Sequence, residues 1–204
     1  MILKTIVVGE LDTNCYIVAS ERTKEAMIID PGDEADKIIK AIEEDGLHPI
    51  LIINTHMHPD HFGANEGLIK RYGISAVAGQ SEKELVEKWG LHFKYFARVN
   101  IRTLGIKKVL NEGDMVSIGE LTFNVIRTPG HAESSICLLG EGMLFSGDTL
   151  FAGDSGRTDI PGANDKDMEA SLEKLMQLPE NIKVYPGHGR PTTIAAERVM
   201  YAKH

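Results

Sequence analysis

The stretch NTHMHPDHFG, residues 54–63, places three histidines and one aspartate within six consecutive positions, 56 to 61. It follows directly on the apolar run PILII, residues 49–53. A hydrophobic core offers imidazoles no partners, and crowded imidazoles repel once protonated, so something must hold them. Neutral imidazole and carboxylate together are the ligand set of Zn, Fe and Mn. His56 and His58 are two positions apart, so in an extended segment they face the same side and can chelate one ion. Asp60 and His61 come where the chain turns into its next element and are expected to face a second ion.

Three further sites in the chain repeat this context, a polar ligand just beyond an apolar strand-like run. His131 (TPGH) follows LTFNVIRT, Asp148 (SGDT) follows MLF, and His188 (PGHG) follows IKVY. Strand ends on one edge of a sheet can converge on a single site while the sheet holds them rigid. The seven residues exceed one tetrahedral ion and suit two, with three protein ligands each and one shared carboxylate. The expected cofactors are therefore two divalent ions, Zn(II) first, with Fe or Mn equally compatible with the donor set. No CxxC pair suggests a structural zinc site, and His48, His92 and His204 stand apart and are read as ordinary histidines.

The totals narrow the partners. At 204 residues, 42% hydrophobic and 25% charged, the chain suits one globular domain spanning residues 1–204. A net charge of -8 without a Lys/Arg stripe argues against nucleic acid and against an anionic membrane. No apolar run approaches the ~20 residues of a membrane helix. The alternating start MILKTIVVGELDTNCYIV does not read as a signal peptide, so the cytoplasm is expected. Cys15 and Cys137 each lie in a strand-like run and are expected to be buried free thiols, with a disulfide left open. A small-molecule partner and a monomer or small homo-oligomer are the remaining expectations.

Strands are expected at LKTIVV, NCYIVAS, AMIID, PILIINT (unalternating, hence buried on both faces), ISAVAG, KVL, DMVSIG, LTFNVIRT, SICLLG, MLFSG and IKVYPG. Helices are expected over EADKIIKAIEEDG, closed by Gly46, and over GANEGLIKRYG, DKDMEASLEKLMQL and TTIAAERVMYAK. Another should open at a Ser81–Glu84 capping box. Trp89, Phe93, Tyr95 and Phe96 hold one third of the aromatics within eight positions. Their spacing predicts a helix face on the core, with Phe93 and Tyr95 as candidate substrate contacts overhanging the metals. This mixture predicts an α/β class of layered architecture.

The motifs THMHPDH, TPGHAESSICLL, SGDTLF, GRTDIPG and VYPGHG, in this order, resemble the metallo-β-lactamase fold superfamily, and within it the glyoxalase II-like hydrolases. The likeness covers nearly the whole chain. It implies an αββα sandwich of two mixed β-sheets flanked by helices, with the metals at one edge. It implies that His56, His58 and His131 bind the first metal, that Asp60, His61 and His188 bind the second, and that Asp148 bridges them, so Asp60 and Asp148 are the carboxylates expected to share in catalysis. The implied reaction is hydrolysis of a small thioester of the S-lactoylglutathione type by a metal-bridging hydroxide. A thiolate leaving group, with a pKa near ~8.5, needs no strong general acid. The chain ends 16 residues after His188, where full-length glyoxalase II enzymes continue into a helical glutathione-binding domain, so the thiol is left open.

Arg157 is read as a contact for a substrate carboxylate or as a brace for the metal-bearing loop through Asp159. Alternatives to thioester hydrolysis are a mononuclear iron persulfide dioxygenase and a lactonase. β-Lactamase activity is not expected without an export signal. RNA cleavage is not expected without a basic surface.

Overall fold

The apolar runs assemble into two six-stranded sheets in the computed structural model, which describes residues 1–79 and 105–201. The first sheet carries β1 (Ile2–Val8), β2 (Thr13–Ala19), β3 (Glu25–Ile29), β4 (His48–Asn54), β5 (Ser75–Ala78) and β6 (Ile106–Val109), side by side in chain order. The second carries β7 (Met115–Ile118), β8 (Leu121–Arg127), β9 (Ile136–Gly140), β10 (Met143–Gly147), β11 (Lys183–Pro186) and β12 (Thr192–Thr193), again in chain order. Both sheets are mixed. In the first, β1 to β3 pair antiparallel and β3 to β6 parallel. In the second, β10 and β11 form the parallel pair.

Helices α1 (Ala35–Glu44) and α2 (Asn65–Tyr72) cover the first sheet, and α3 (Asp165–Met176) and α4 (Ile194–Tyr201) the second. Strand β2 shows why the layers stack this way. Its Tyr16 and Val18 enter the cluster between the sheets with Phe123, Leu138 and Phe145. Its Cys15 and Ile17, alternating with them, pack under the helices with Ile38, Ile42 and Leu68. A strand apolar on both faces needs cover on both, which an αββα sandwich supplies.

Ile38 and Ile42 share one stripe of α1, four residues apart. The helix stops in a Schellman motif, with Gly46 at φ 61°, Gly46 N–H donating to Glu43 O and Leu47 N–H to Ile42 O. The expected Gly46 terminator is therefore present, one residue beyond the C-cap Asp45. The opposite end of α3 is capped by Asn164, whose side chain accepts the Asp167 N–H at 3.1 Å.

Two expectations are corrected. Along β4, His48 and Ile50 are exposed, and burial on both faces holds for Ile52, Ile53 and Asn54, the end nearest the histidine cluster. Thr192 and Thr193, read as the start of the last helix, instead form β12 against β11. Two β-branched residues favour the extended form, and the Thr193 hydroxyl then accepts the Ala196 N–H as α4 begins.

Cys15 and Cys137 are free and buried, as expected. Among the described residues, no helix is long and apolar enough to cross a membrane. The expected helix at Ser81–Glu84, the aromatic cluster with Phe93 and Tyr95, and His92 and His204 lie outside the described residues.

Candidate metal centre

Pairing direction decides which loops meet. Two antiparallel steps make β8 run the same way as β10, and β11 is parallel to β10, so all three end at one edge of their sheet. His131, Asp148 and His188 leave those three ends. From the facing sheet, β4 ends at Asn54 and delivers His56 and His58 before a 3-10 turn, Pro59–His61. Pro59 opens that turn, where its missing N–H and fixed φ cost least.

The structure brings all seven expected ligands together, in overlapping groups whose donor atoms lie within 4.8 Å of one another: His56, His58 and His131; His56, His61 and Asp148; and Asp60, His61 and His188. His58 Nδ1 is 3.0 Å from His56 Nε2 and 2.9 Å from His131 Nε2. One imidazole nitrogen has a single in-plane lone pair or proton, so it cannot serve both neighbours as a hydrogen bond. A cation accepting all three lone pairs satisfies them together. Asp148 lies between the outer groups. Its Oδ1 is 3.4 Å from His61 Nε2, and its Oδ2 is 3.6 Å from His131 Nε2 and 3.5 Å from His188 Nε2. Oδ1 is buried and makes no hydrogen bond, an orphaned acceptor of the kind a metal would fill.

The nitrogens facing away from the centre are held by the protein. His131 Nδ1 donates to Arg157 O and His188 Nδ1 to Leu11 O, each at 2.9 Å. A carbonyl only accepts, so both rings carry a proton on Nδ1 and turn Nε2 inward. Arg157 touches the centre through its carbonyl, while its exposed guanidinium is paired with Asp159 at 2.7 and 2.9 Å.

Protonation divides the centre into two halves. Burial, reinforced by neighbouring imidazoles, lowers His56 well below the ordinary histidine value and His58 to about 4, so both are neutral donors at neutral pH. Burial acts the same way on His61 and His188 but is outweighed. The carboxylates of Asp148 and Asp30 hold His61 well above its usual value, and hydrogen bonds to Asp148 and Asp60 hold His188 at about 10. For Asp60 and Asp148, burial favours the acid, yet the histidines keep both ionised and below the usual carboxylate range. A metal entering the second half therefore displaces protons, whereas His56 and His58 in the first half are already deprotonated.

Several supporting residues escape the ligand pattern. Asp30, at the end of β3, accepts from Thr55 N and Thr55 Oγ1, both at 2.7 Å, and its Oδ2 lies 3.0 Å from His61 Nδ1. The parallel register Ile29↔Ile53 puts it there. The available signal was a charged residue ending the apolar run AMII just before Pro31–Gly32, the context shared by the ligands themselves. Asn14 joins the two sheets at the same edge, its side chain donating to Pro186 O at 3.0 Å and Gly189 O at 2.8 Å. Asn54 and Asn65 pair through their buried amides, and Asn54 also donates to His61 O at 2.9 Å.

The packing leaves no slack at Gly187, where a Cβ would stand 2.2 Å from Asp148 Oδ1 and 2.8 Å from His61 Cε1. Gly187→Ala is expected to displace the central carboxylate and cut turnover by about 10²-fold, the usual cost of an ångström-scale misplacement. Far-UV circular dichroism should remain that of the wild type. Wild-type turnover in the variant would show that this close approach is unimportant.

Residues 8–188 match the metallo-β-lactamase superfamily, and the chain belongs to that superfamily. It is 36% identical to an uncharacterized protein of Aquifex aeolicus over 98% of this chain and 95% of the relative. It is 33% identical to the hydroxyacylglutathione hydrolase GloC of Haemophilus influenzae, over 97% and 95% of the two chains. Among solved structures it is similar to the BLEG-1 B3 metallo-β-lactamase (TM-score 0.83, 34% identity, 96% of both chains). It is also similar to TTHA1623 in a di-iron-bound form (0.82, 34%, 95% and 96%) and to ETHE1 from Myxococcus xanthus (0.81, 30%, 97% and 82%). The two sheets and flanking helices are those of this fold, and the superfamily binds divalent metals.

Proposed function

We propose that the chain is a dinuclear metal-dependent hydrolase of small thioesters, of the hydroxyacyl-thiol kind. The observation that carries this reading is the pair of three-residue donor groups, His56/His58/His131 and Asp60/His61/His188, with Asp148 in reach of both. The similarity to GloC, over 97% of this chain and 95% of that one, supports the substrate class. Zn(II) is the metal we assign first, and TTHA1623 makes iron the alternative.

Two bound ions would supply an activated water and Lewis acidity toward a carbonyl oxygen. The protein's own part is orientation. Arg157 O and Leu11 O fix the rings of His131 and His188, and the ionised Asp60 and Asp148 offset the positive charge of the ions. A cleft of about 630 Å³, lined by Val8, Leu11, Thr13, Pro59 and Asp60 among others, opens beside the centre and can admit a small molecule. The leaving thiolate needs no acid from the protein. Neither cysteine competes as nucleophile. Burial pushes Cys15 well above its usual value and Cys137 up to about 11, so both remain thiols. Arg157 is retained as a candidate contact for a substrate carboxylate.

A persulfide dioxygenase using one iron is the second reading, favoured by the similarity to ETHE1. Metal-loaded protein should be offered S-lactoylglutathione, a lactone, a β-lactam and glutathione persulfide, with thiol release and oxygen uptake followed together. The expected result is thiol release from the thioester without oxygen uptake. Oxygen uptake on the persulfide, with no thioester turnover, would replace the hydrolase reading with the dioxygenase.

A further inference from the structure

The loop from Asp148 to Arg157 touches three ligands. It begins with Asp148 itself, sets the Phe151 ring edge-on to His188 (centroids 6.2 Å apart), and ends with Arg157 O on His131 Nδ1. It is folded back on itself by the Leu150–Ser155 bridge and by Phe151 N–H donating to Asp154 O at 2.9 Å. Its return strand passes close to its start: a Cβ on Gly156 would strike Asp148 O at 1.9 Å and meet His131 Cβ at 3.0 Å. A shift of this loop therefore moves Asp148, His131 and the wall beside His188 together.

A groove of about 250 Å³ borders its outer side, lined by Leu150, Ser155, Leu172, Met176 and Met200. Leu150 anchors the start of the loop in the core cluster under α3 and α4. Glu197 of α4 crosses this region. Its side chain is 5% exposed, its Oε2 accepts the Gly153 N–H at 2.8 Å, and its Oε1 accepts from the Thr192 hydroxyl. Gly153 sits at φ +83°, in the left-handed region at the tip of the loop.

We propose that Glu197 is a positioning residue for the metal centre: by holding Gly153 it fixes the Asp148–Arg157 loop, and through that loop the alignment of His131 and Asp148. The last helix thereby serves the site from outside its ligand shell. This rests on the seven-residue centre being a metal site and is independent of which substrate it turns over.

The test is Zn(II) affinity, measured by competition with a chromophoric chelator at 25 °C, for wild type, Glu197→Ala and Glu197→Gln. Glu197→Ala is expected to bind about 10-fold more weakly, the lower end of what outer partners of metal ligands contribute. Glu197→Gln keeps an oxygen for Gly153 N–H and an amide that can donate to Thr192, and should lie within about twofold of wild type. Hydrogen exchange of the zinc-loaded proteins should show faster exchange across 149–157 in the Ala variant. If Glu197→Ala is recovered unfolded, Glu197→Asp draws the carboxylate back by one methylene and should show the same weakening. A lowered melting temperature with unchanged zinc affinity and unchanged exchange across 149–157 would reduce Glu197 to a stabilising contact and overturn the proposal. Failure of the wild type itself to bind zinc would overturn the metal reading and the proposal with it, whereas tight zinc binding without thioester turnover would leave this proposal standing.

Discussion

Asp148→Asn is expected to lower thioester hydrolysis by about 10²–10³-fold and to reduce bound metal below two per chain. Asp148 is the carboxylate that reaches both donor groups, with one oxygen toward His61 and the other toward His131 and His188. Asparagine keeps its shape and volume, so the packing against Gly187 survives and the loss reads charge rather than fold. The exchange places either a neutral oxygen or an N–H donor at atoms poised to meet a cation, and an N–H cannot ligate one. Asp60→Asn is a useful companion, because Asp60 belongs to the second group alone. It should empty that half while the trio of His56, His58 and His131 keeps its ion. Elemental analysis and steady-state kinetics on the two variants check both statements. Two metals and wild-type turnover in Asp148→Asn would remove the bridging role.

Stripping the metal should abolish turnover and lower the melting temperature by roughly 8–16 °C. With free metal at about 1,000 times its dissociation constant, binding to the native state contributes about 4 kcal/mol. Each kcal/mol corresponds to about 2–4 °C for a chain of this size. The direction follows from the centre itself: without an ion, His58 Nδ1 faces two other imidazole nitrogens, and Asp148 Oδ1 remains buried without a hydrogen bond. The shift should stay moderate, because the three hydrophobic clusters pack between and around the sheets independently of the centre. Thermal melts before and after dialysis against a chelator, with zinc added back to recover activity, measure both effects. Equal melting temperatures and retained turnover in demonstrably metal-free protein would show that the donors need no ion.

How much of this was legible from the sequence depends on the kind of information. The histidine cluster and the recurrence of a polar residue after an apolar run pointed to the seven donors, because strand ends are marked locally by composition. Mixed sheets and their order are set by pairing between distant segments, which no local run reports, and here the likeness of the motifs supplied the architecture. The role of Asp30 is not legible in the sequence because it depends on the parallel register of β3 against β4, although its position after AMII resembles that of the ligands. Asn14 looked like part of an ordinary strand, since nothing local shows that β2 faces the His188 loop. Thr192 and Thr193 were drawn into the helix pattern that follows them, because a two-residue strand is defined only by its partner β11. The sequence displays the charge of Arg157, while it is the carbonyl that holds His131. Backbone groups have no sequence signature.

The most direct test of the central claim is the metal content of the protein after reconstitution with excess Zn(II) and removal of the unbound metal. Two ions per wild-type chain, falling to about one in Asp60→Asn, is the result expected of two donor groups sharing Asp148. A single ion per wild-type chain, unaffected by Asp60→Asn, would contradict the dinuclear centre and favour a mononuclear site at His56, His58 and His131.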